Sequence, residues 1–298
     1  MAIQTVKATI NGQEYDLTYS SGTGKWTATI TAPNKSSYNQ PNHFYDVTLK
    51  ATDDAGNTVT KDSTDTTLGD SLKLYVKEKV APTQSITYPT ANALITNNKP
   101  TITWEVRDDD SGVDPDSIKL TIDSNAAITT GITKTPVSGG YDCSYTPSTT
   151  LADGQHTIKV DASDHDGNAS IQTSVTFKID TVAPTLNVTS PTENFITNQS
   201  SIVVEGTTND ATSSPVTVTI NDEPVTVQSN GSFSKQITLS EGENTITVIA
   251  TDGAGKSTTV VRHVTLDTGG PVFKSVTITP NPVDGGQTFV IEVEVEDD

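Results

Sequence analysis

A short proline-centred stretch, Asp180-Thr181-Val182-Ala183-Pro184-Thr185, separates two long runs of alternating apolar and polar residues. A near copy, Lys79-Val80-Ala81-Pro82-Thr83, stands one block earlier, and a looser one, Asp267-Thr268-Gly269-Gly270-Pro271, one block later. Proline fixes its own φ and pushes the residue before it towards extended conformations. Such a joint cannot continue a helix and makes a stiff, extended hinge. A motif recurring at domain-sized intervals marks a repeat array in which each block builds its own core. The blocks run over residues 1–79, 80–182, 183–268 and 269–298.

Inside the blocks the apolar period is two, the signature of half-buried strands. Tyr15, Leu17 and Tyr19 alternate in the first block, as do Trp26, Ala28 and Ile30, then Tyr45, Val47, Leu49 and Ala51. This block is expected to be an aromatic-rich β-sandwich, with an irregular loop from Pro33 to Pro41 and an insertion over residues 60–71. The second block predicts strands near 84–88, 101–107, 117–123, 140–145, 154–162 and 170–179, a weaker one near 127–133, and Trp104 as a core plug. The third predicts seven, near 185–189, 201–208, 215–220, 224–228, 231–238, 243–251 and 257–266. Seven short strands with turn signals every eight to twelve residues read as an immunoglobulin-like (Ig-like) sandwich. The fold class is therefore all-β: tandem Ig-like sandwiches in an elongated array, closed by a short C-terminal hairpin over residues 272–280 and 287–297. In that hairpin Phe289, Ile291, Val293 and Val295 face one way, and Val290, Glu292, Glu294 and Glu296 the other. A lone two-stranded hairpin is marginal in water. It must pack on block three, pair with a second subunit or another protein, or begin a fourth domain; an intermolecular partner is expected.

Charge limits the partners. The chain has 37 acidic against 18 basic residues, a net charge of −19, while residues 1–79 are nearly neutral. An acidic surface repels phosphate backbones and anionic lipid, which argues against nucleic acid and membranes as partners. No apolar run approaches a membrane span. The start, Met1-Ala2-Ile3-Gln4, lacks the basic and apolar regions of a secretory signal, so synthesis in the cytoplasm without a signal peptide, or removal of one, is expected. Cys143 is the only cysteine and reads as a small buried apolar residue.

Catalytic patterns are missing from the sequence. The four histidines are scattered, and neither Gly-x-Ser-x-Gly nor His-Glu-x-x-His occurs. Ala250 to Ser257 approaches a phosphate-binding loop, but a strand pattern follows where a helix is needed to aim amides at phosphate. Its counterparts Asp53-Asp54-Ala55-Gly56-Asn57 and Asp164-His165-Asp166-Gly167-Asn168 mark it as a repeated hairpin turn. Those turns offer the one ligand pattern. In an Ig-like sandwich they share the N-terminal pole with the turn between the second and third strands. Asp108, Asp110, Asp114, Asp164 and Asp166 gather there in block two, and Asp210 and Asp252 in block three, with Asp180 arriving from the linker. Oxygen ligands clustered at a domain joint suit calcium; the alternative is that these short acids cap their own turns. A second candidate is the loop holding Tyr38, His43, Phe44 and Tyr45, which could stack on sugar or dock a protein, unless Phe44 or Tyr45 begins a strand and is core.

The joints Val-Ala-Pro-Thr and Asp-Thr-Val-Ala-Pro-Thr, with the turns Thr-Asp-Asp-Ala-Gly-Asn and Thr-Asp-Gly-Ala-Gly-Lys, resemble tandem bacterial Ig-like domains. With the signal-free start and the closing Thr277-Ile278-Thr279-Pro280-Asn281-Pro282-Val283-Asp284 hairpin, the arrangement resembles Ig-like virion proteins of tailed phages and prophages of gut Firmicutes. The resemblance implies a non-enzymatic tail or capsid-surface protein, localised to the virion, partnered by virion proteins or itself, and ending naturally at Asp298. Its first block would be the attachment or contact module, for a protein or a host-surface glycan. Two alternatives stay open: the stalk of a secreted surface adhesin, and an accessory carbohydrate-binding module.

Overall fold

The structure, a computed structural model, describes residues 2–297, and its regular secondary structure is almost wholly strand. It divides into two compact units, Met1–Ile179 and Asp180–Asp298. No helix among the described residues is long and apolar enough to cross a membrane.

The first block is one sheet. Its strands β1 (Ile3–Ile10), β2 (Gln13–Ser20), β3 (Lys25–Thr27), β4 (Tyr45–Asp53) and β5 (Thr58–Lys61) lie in the order β3-β2-β1-β4-β5, and β6 (Lys73–Leu74) pairs with the start of β4. Asn11 and Gly12, both at positive φ, close the β1–β2 hairpin, as a two-residue turn of this hand requires. The sandwich expected over residues 1–79 is not formed, because among the described residues no second sheet faces this one. The segments that would supply it are proline-interrupted or tied into local turns. Asp62 and Asp65 accept the backbone N–H groups of Thr64, Thr67 and Leu68. Irregular chain covers β4 instead: the Tyr45 hydroxyl donates to the Lys35 carbonyl at 3.1 Å, and Ser63 N–H to Asp46 at 2.9 Å. The alternation through Ala28 and Ile30 forms no strand, since β3 stops at Thr27.

The second block is a two-sheet sandwich. One sheet orders β11 (Thr133–Val137), β12 (Gly140–Tyr145), β9 (Ile102–Arg107) and β7 (Thr83–Tyr88); the other orders β10 (Lys119–Ile122), β13 (Gly154–Asp161), β14 (Thr173–Ile179) and β8 (Leu94–Ile95). Alternate residues of both sheets, among them Ile102, Trp104, Val106, Leu120, Ile158, Val160 and Phe177, are fully or almost fully buried between them. Burial also raises the Cys143 thiol to about 11, leaving it an apolar filler. The weak strand expected near 127–133 appears later, as β11. Asp123 turns the chain at φ 56, so Ile128 meets Leu120 only as a single bridge.

The third block repeats this plan. Strands β15 (Thr185–Ser190), β17 (Ser201–Asn209) and β20 (Ser232–Thr238) face the five-stranded sheet of β16 (Phe195–Thr197), β22 (Ser257–Leu266), β21 (Gly242–Thr251), β18 (Thr217–Ile220) and β19 (Glu223–Val225). In both sandwiches the first strand's chain crosses to the other sheet and runs parallel to the last strand, as β8 on β14 and β16 on β22. These short crossing strands were not expected, although Pro89-Thr90 … Leu94-Ile95-Thr96-Asn97 and Pro191-Thr192 … Phe195-Ile196-Thr197-Asn198 share one pattern at their position. The two blocks share one register: Thr83 pairs with Arg107, and Thr185 with Asn209. Trp104 thus corresponds to Gly206, and Asp108 to Asp210.

The last block is the hairpin of β23 (Val272–Thr279) and β24 (Val290–Glu296). Every described residue from Thr268 onward is exposed, so it does not pack on block three.

Candidate metal centres

Each sandwich carries a group of three carboxylates at its N-terminal pole. In block three these are Asp180 from the linker, Asp210 just beyond β17 and Asp252 in the β21–β22 turn; one oxygen of each lies within 4.8 Å of the others. All three are buried, Asp180 to 0%, Asp210 to 8% and Asp252 to 7% exposure. The local chain fixes each one. Asp252 Oδ1 accepts the Lys256 N–H at 2.8 Å across the turn, and Asp210 Oδ1 accepts those of Thr212 and Ser213, both at 2.7 Å. Ser213 donates its hydroxyl to Asp180 Oδ2, and Val182 N–H reaches Oδ1 of the same residue. Asp252 Oδ2 is buried without any hydrogen-bond partner. Among the described residues no lysine, arginine or histidine forms an ion pair with the three. Buried, uncompensated carboxylates are costly, and several kilocalories per mole rest on what neutralises them.

In block two the group is Glu78, Asp108 and Asp164, again within 4.8 Å of one another. Asp108 Oδ1 accepts Asp110 and Gly112 N–H at 3.0 and 2.7 Å; both Asp164 oxygens are taken by Asn168; Glu78 Oε1 accepts Ser111 N–H at 2.5 Å. Burial raises the pKa of Glu78, and the neighbouring Asp108 and Asp110 push it the same way. Glu78 lies just outside the joint legible in the sequence, Lys79–Thr83, whereas Asp180 opens its counterpart. Spacing reveals it: Glu78 lies thirty residues before Asp108, as Asp180 lies thirty before Asp210.

The remaining acids named from sequence do other work. Asp110 Oδ1 accepts Ser36 N–H at 3.0 Å and the Asn39 side-chain amide at 2.7 Å, binding the first block to the second. Asp166 accepts Glu78 N–H at 2.9 Å. Asp114 caps a short 3-10 turn through Asp116 N–H. Asp53, in the equivalent turn of block one, accepts the Asn57 N–H at 2.8 Å and joins no group of three acids among the described residues.

The aromatic loop is packed rather than presented. Tyr38 stacks on His43 and on His165, each with 4.0 Å between ring centroids. Two rings at that distance must occupy its two faces, so neither face remains for a sugar. Tyr45 is buried to 3% at the head of β4, and Phe44 meets Tyr75 edge-on. Only His43 of the four is exposed, its Nδ1 2.8 Å from the Tyr38 carbonyl oxygen. The near phosphate loop is the β21–β22 turn, with Asp252 N–H donating to the Lys256 carbonyl at 3.0 Å.

With this geometry in place, comparison with known proteins is informative. Residues 79–181 match the model of a bacterial Ig-like domain, and residues 184–268 that of glucodextranase domain B. These two stretches coincide with the two sandwiches, and the fold over them is a tandem of Ig-like β-sandwiches. Bacillopeptidase F of Bacillus subtilis (strain 168) is 31% identical over 126 residues, which cover 42% of this chain but only 9% of that protein. The I-band fragment I67–I69 of titin aligns with 89% of the chain and 88% of its own, at 14% identity and a TM-score of 0.45. Protocadherin Gamma B7 cadherin domains 1–4 align with 98% of the chain and 76% of theirs, at 9% identity and a TM-score of 0.44.

Proposed function

We propose that the chain is a non-enzymatic structural and adhesive arm, carried on the tail or capsid of a tailed phage or prophage virion, whose Ig-like domains hold calcium at their N-terminal poles. The recurrence of one carboxylate triad in two domains carries the calcium part. Turn capping alone explains acids that satisfy their own loops, but not Asp252 Oδ2, buried without a donor. Calcium takes six to eight oxygens from carboxylates and carbonyls, and such a hard cation matches an all-oxygen group. The arm would present the nearly neutral first block to virion proteins or a second copy. Tyr38 is excluded as a sugar platform by its own stacking.

Calcium should raise the unfolding midpoint of both Ig-like domains, and chelator should reverse it. A ligand at a hundredfold its dissociation constant adds about 2.7 kcal/mol. If scanning calorimetry shows no difference between calcium and chelator, the carboxylates are turn caps and the calcium reading fails. The virion part is tested by mass spectrometry of purified particles. Recovery of the chain with tail or capsid proteins supports it. Recovery only from the bacterial surface favours the adhesin-stalk alternative.

A further inference from the structure

The hairpin β23–β24 repeats the first strand pair of the two Ig-like domains residue for residue at its ends. Val272 pairs with Glu296 as Thr83 does with Arg107 and Thr185 with Asn209. A proline immediately precedes each first strand: Pro82, Pro184 and Pro271. An acid lies five residues before it, at Glu78, Asp180 and Asp267, and a second lies thirty residues further on, at Asp108, Asp210 and Asp297. Each pairing is antiparallel and interrupted by one bulge.

The faces correspond as well. Phe273 opposite Val295, Val276 opposite Val293 and Ile278 opposite Ile291 form one apolar face; Ser275, Thr277, Glu292 and Glu294 form the other. By register Ile291, Val293 and Val295 stand where Ile102, Trp104 and Val106 stand in the second domain. Those three are 0%, 1% and 0% exposed, whereas Ile291, Val293 and Val295 are 55%, 46% and 49% exposed. The same positions are core in one domain and bare in the hairpin. A one-residue slip would reverse every side chain, so agreement in register is a demanding coincidence.

We infer that β23–β24 is the opening strand pair of a further Ig-like repeat, and that its apolar face is the seat for that repeat's remaining strands, supplied by polypeptide continuing from Asp297. The polar face, with Ser275 and Thr277 donating to Glu294 and Glu292, is then the solvent side, as in a half-buried antiparallel sheet.

The test is complementation within the full chain. One variant extends the chain from Asp297 with a second copy of residues 109–179, the remainder of the second domain; another uses residues 211–268, the remainder of the third. Hydrogen exchange of peptides covering 272–279 and 290–296 is compared with the unextended chain, alongside sedimentation. The expected result is a monomer in which at least one extension slows hairpin exchange tenfold or more, with the effect lost when Ile291, Val293 and Val295 are all changed to Thr. Unchanged hairpin exchange in both extensions overturns the inference. So does a stable dimer of the unextended chain that already protects β23 and β24, since the occupant would then be a second copy.

Discussion

At the residue scale, the two sandwiches place the large member of one cross-strand pair on different strands of the same sheet. In block two the large side chain is Trp104 on β9, facing the small Cys143 on β12. In block three the ring is Phe233 on β20, facing Gly206 on β17. A Cβ on Gly206 would meet the Asn187 carbonyl oxygen and Phe233 Cζ, both at 2.4 Å. Gly206→Ala should therefore destabilise the third domain by about 1–3 kcal/mol or more through overpacking, read as a lower urea midpoint with unchanged slope. Trp104→Ala should cost the second domain about 3–5 kcal/mol. A further residue-scale outcome concerns Glu78. Its folded pKa is raised, so without cation its stabilising contribution is complete below the ordinary glutamate pKa and is lost as pH rises through the raised value. Glu78→Gln should flatten that part of the pH–stability curve, leave the calcium-free protein slightly more stable at neutral pH, and abolish the calcium shift of the second domain.

At the scale of elements, two features depend on chain that leaves its sheet. The crossings at Leu94–Ile95 and Phe195–Thr197 tie the first strand's continuation to the last strand, closing each sandwich at one edge. The segment around Tyr38 does the corresponding job between blocks one and two, with Ser36 and Asn39 bonded to Asp110 and the Tyr38 ring between two histidines. Replacing Tyr38 with Ala removes both stacking contacts while leaving strand pairing intact. Amide exchange should accelerate in residues 36–43 and in the 164–168 turn, with the β9–β12 ladder unchanged. Equal exchange in wild type and variant would mean that the hydrogen bonds to Asp110 alone hold the segment.

At the scale of the whole molecule, the two proposed cation sites should act separately, because each triad lies within one compact unit: Glu78, Asp108 and Asp164 in the first, Asp180, Asp210 and Asp252 in the second. Asp252→Asn should erase the calcium-induced rise in midpoint for the third domain and leave that of the second domain within error; Asp164→Asn should do the reverse. Calorimetry in calcium and in chelator distinguishes the two transitions. A variant that loses both shifts together would show that the sites are coupled. Surface ion pairs such as Lys73–Asp70 and Lys7–Glu14 are exposed and should matter little by comparison.

What the sequence determined by itself was local and periodic. Alternation at period two specifies strands, prolines specify joints, and Asn-Gly or Asp-x-Gly specifies turns, because each acts through the conformation of a few consecutive residues. The Ig-like plan of residues 79–181 and 184–268 was legible for that reason, as were Trp104 as core and five of the six carboxylates that gather at the poles. Tertiary structure decided whatever depends on which distant residues meet. It selected Asp108 over Asp110 and Asp114, added Glu78, sent Tyr38 into a joint, and left the first block a single sheet, since its apolar alternation is satisfied equally by a second sheet or by irregular chain. It also separated the buried positions of β9 from the bare ones of β24. The alternating pattern is the same in both, and only the presence of an opposing sheet distinguishes them.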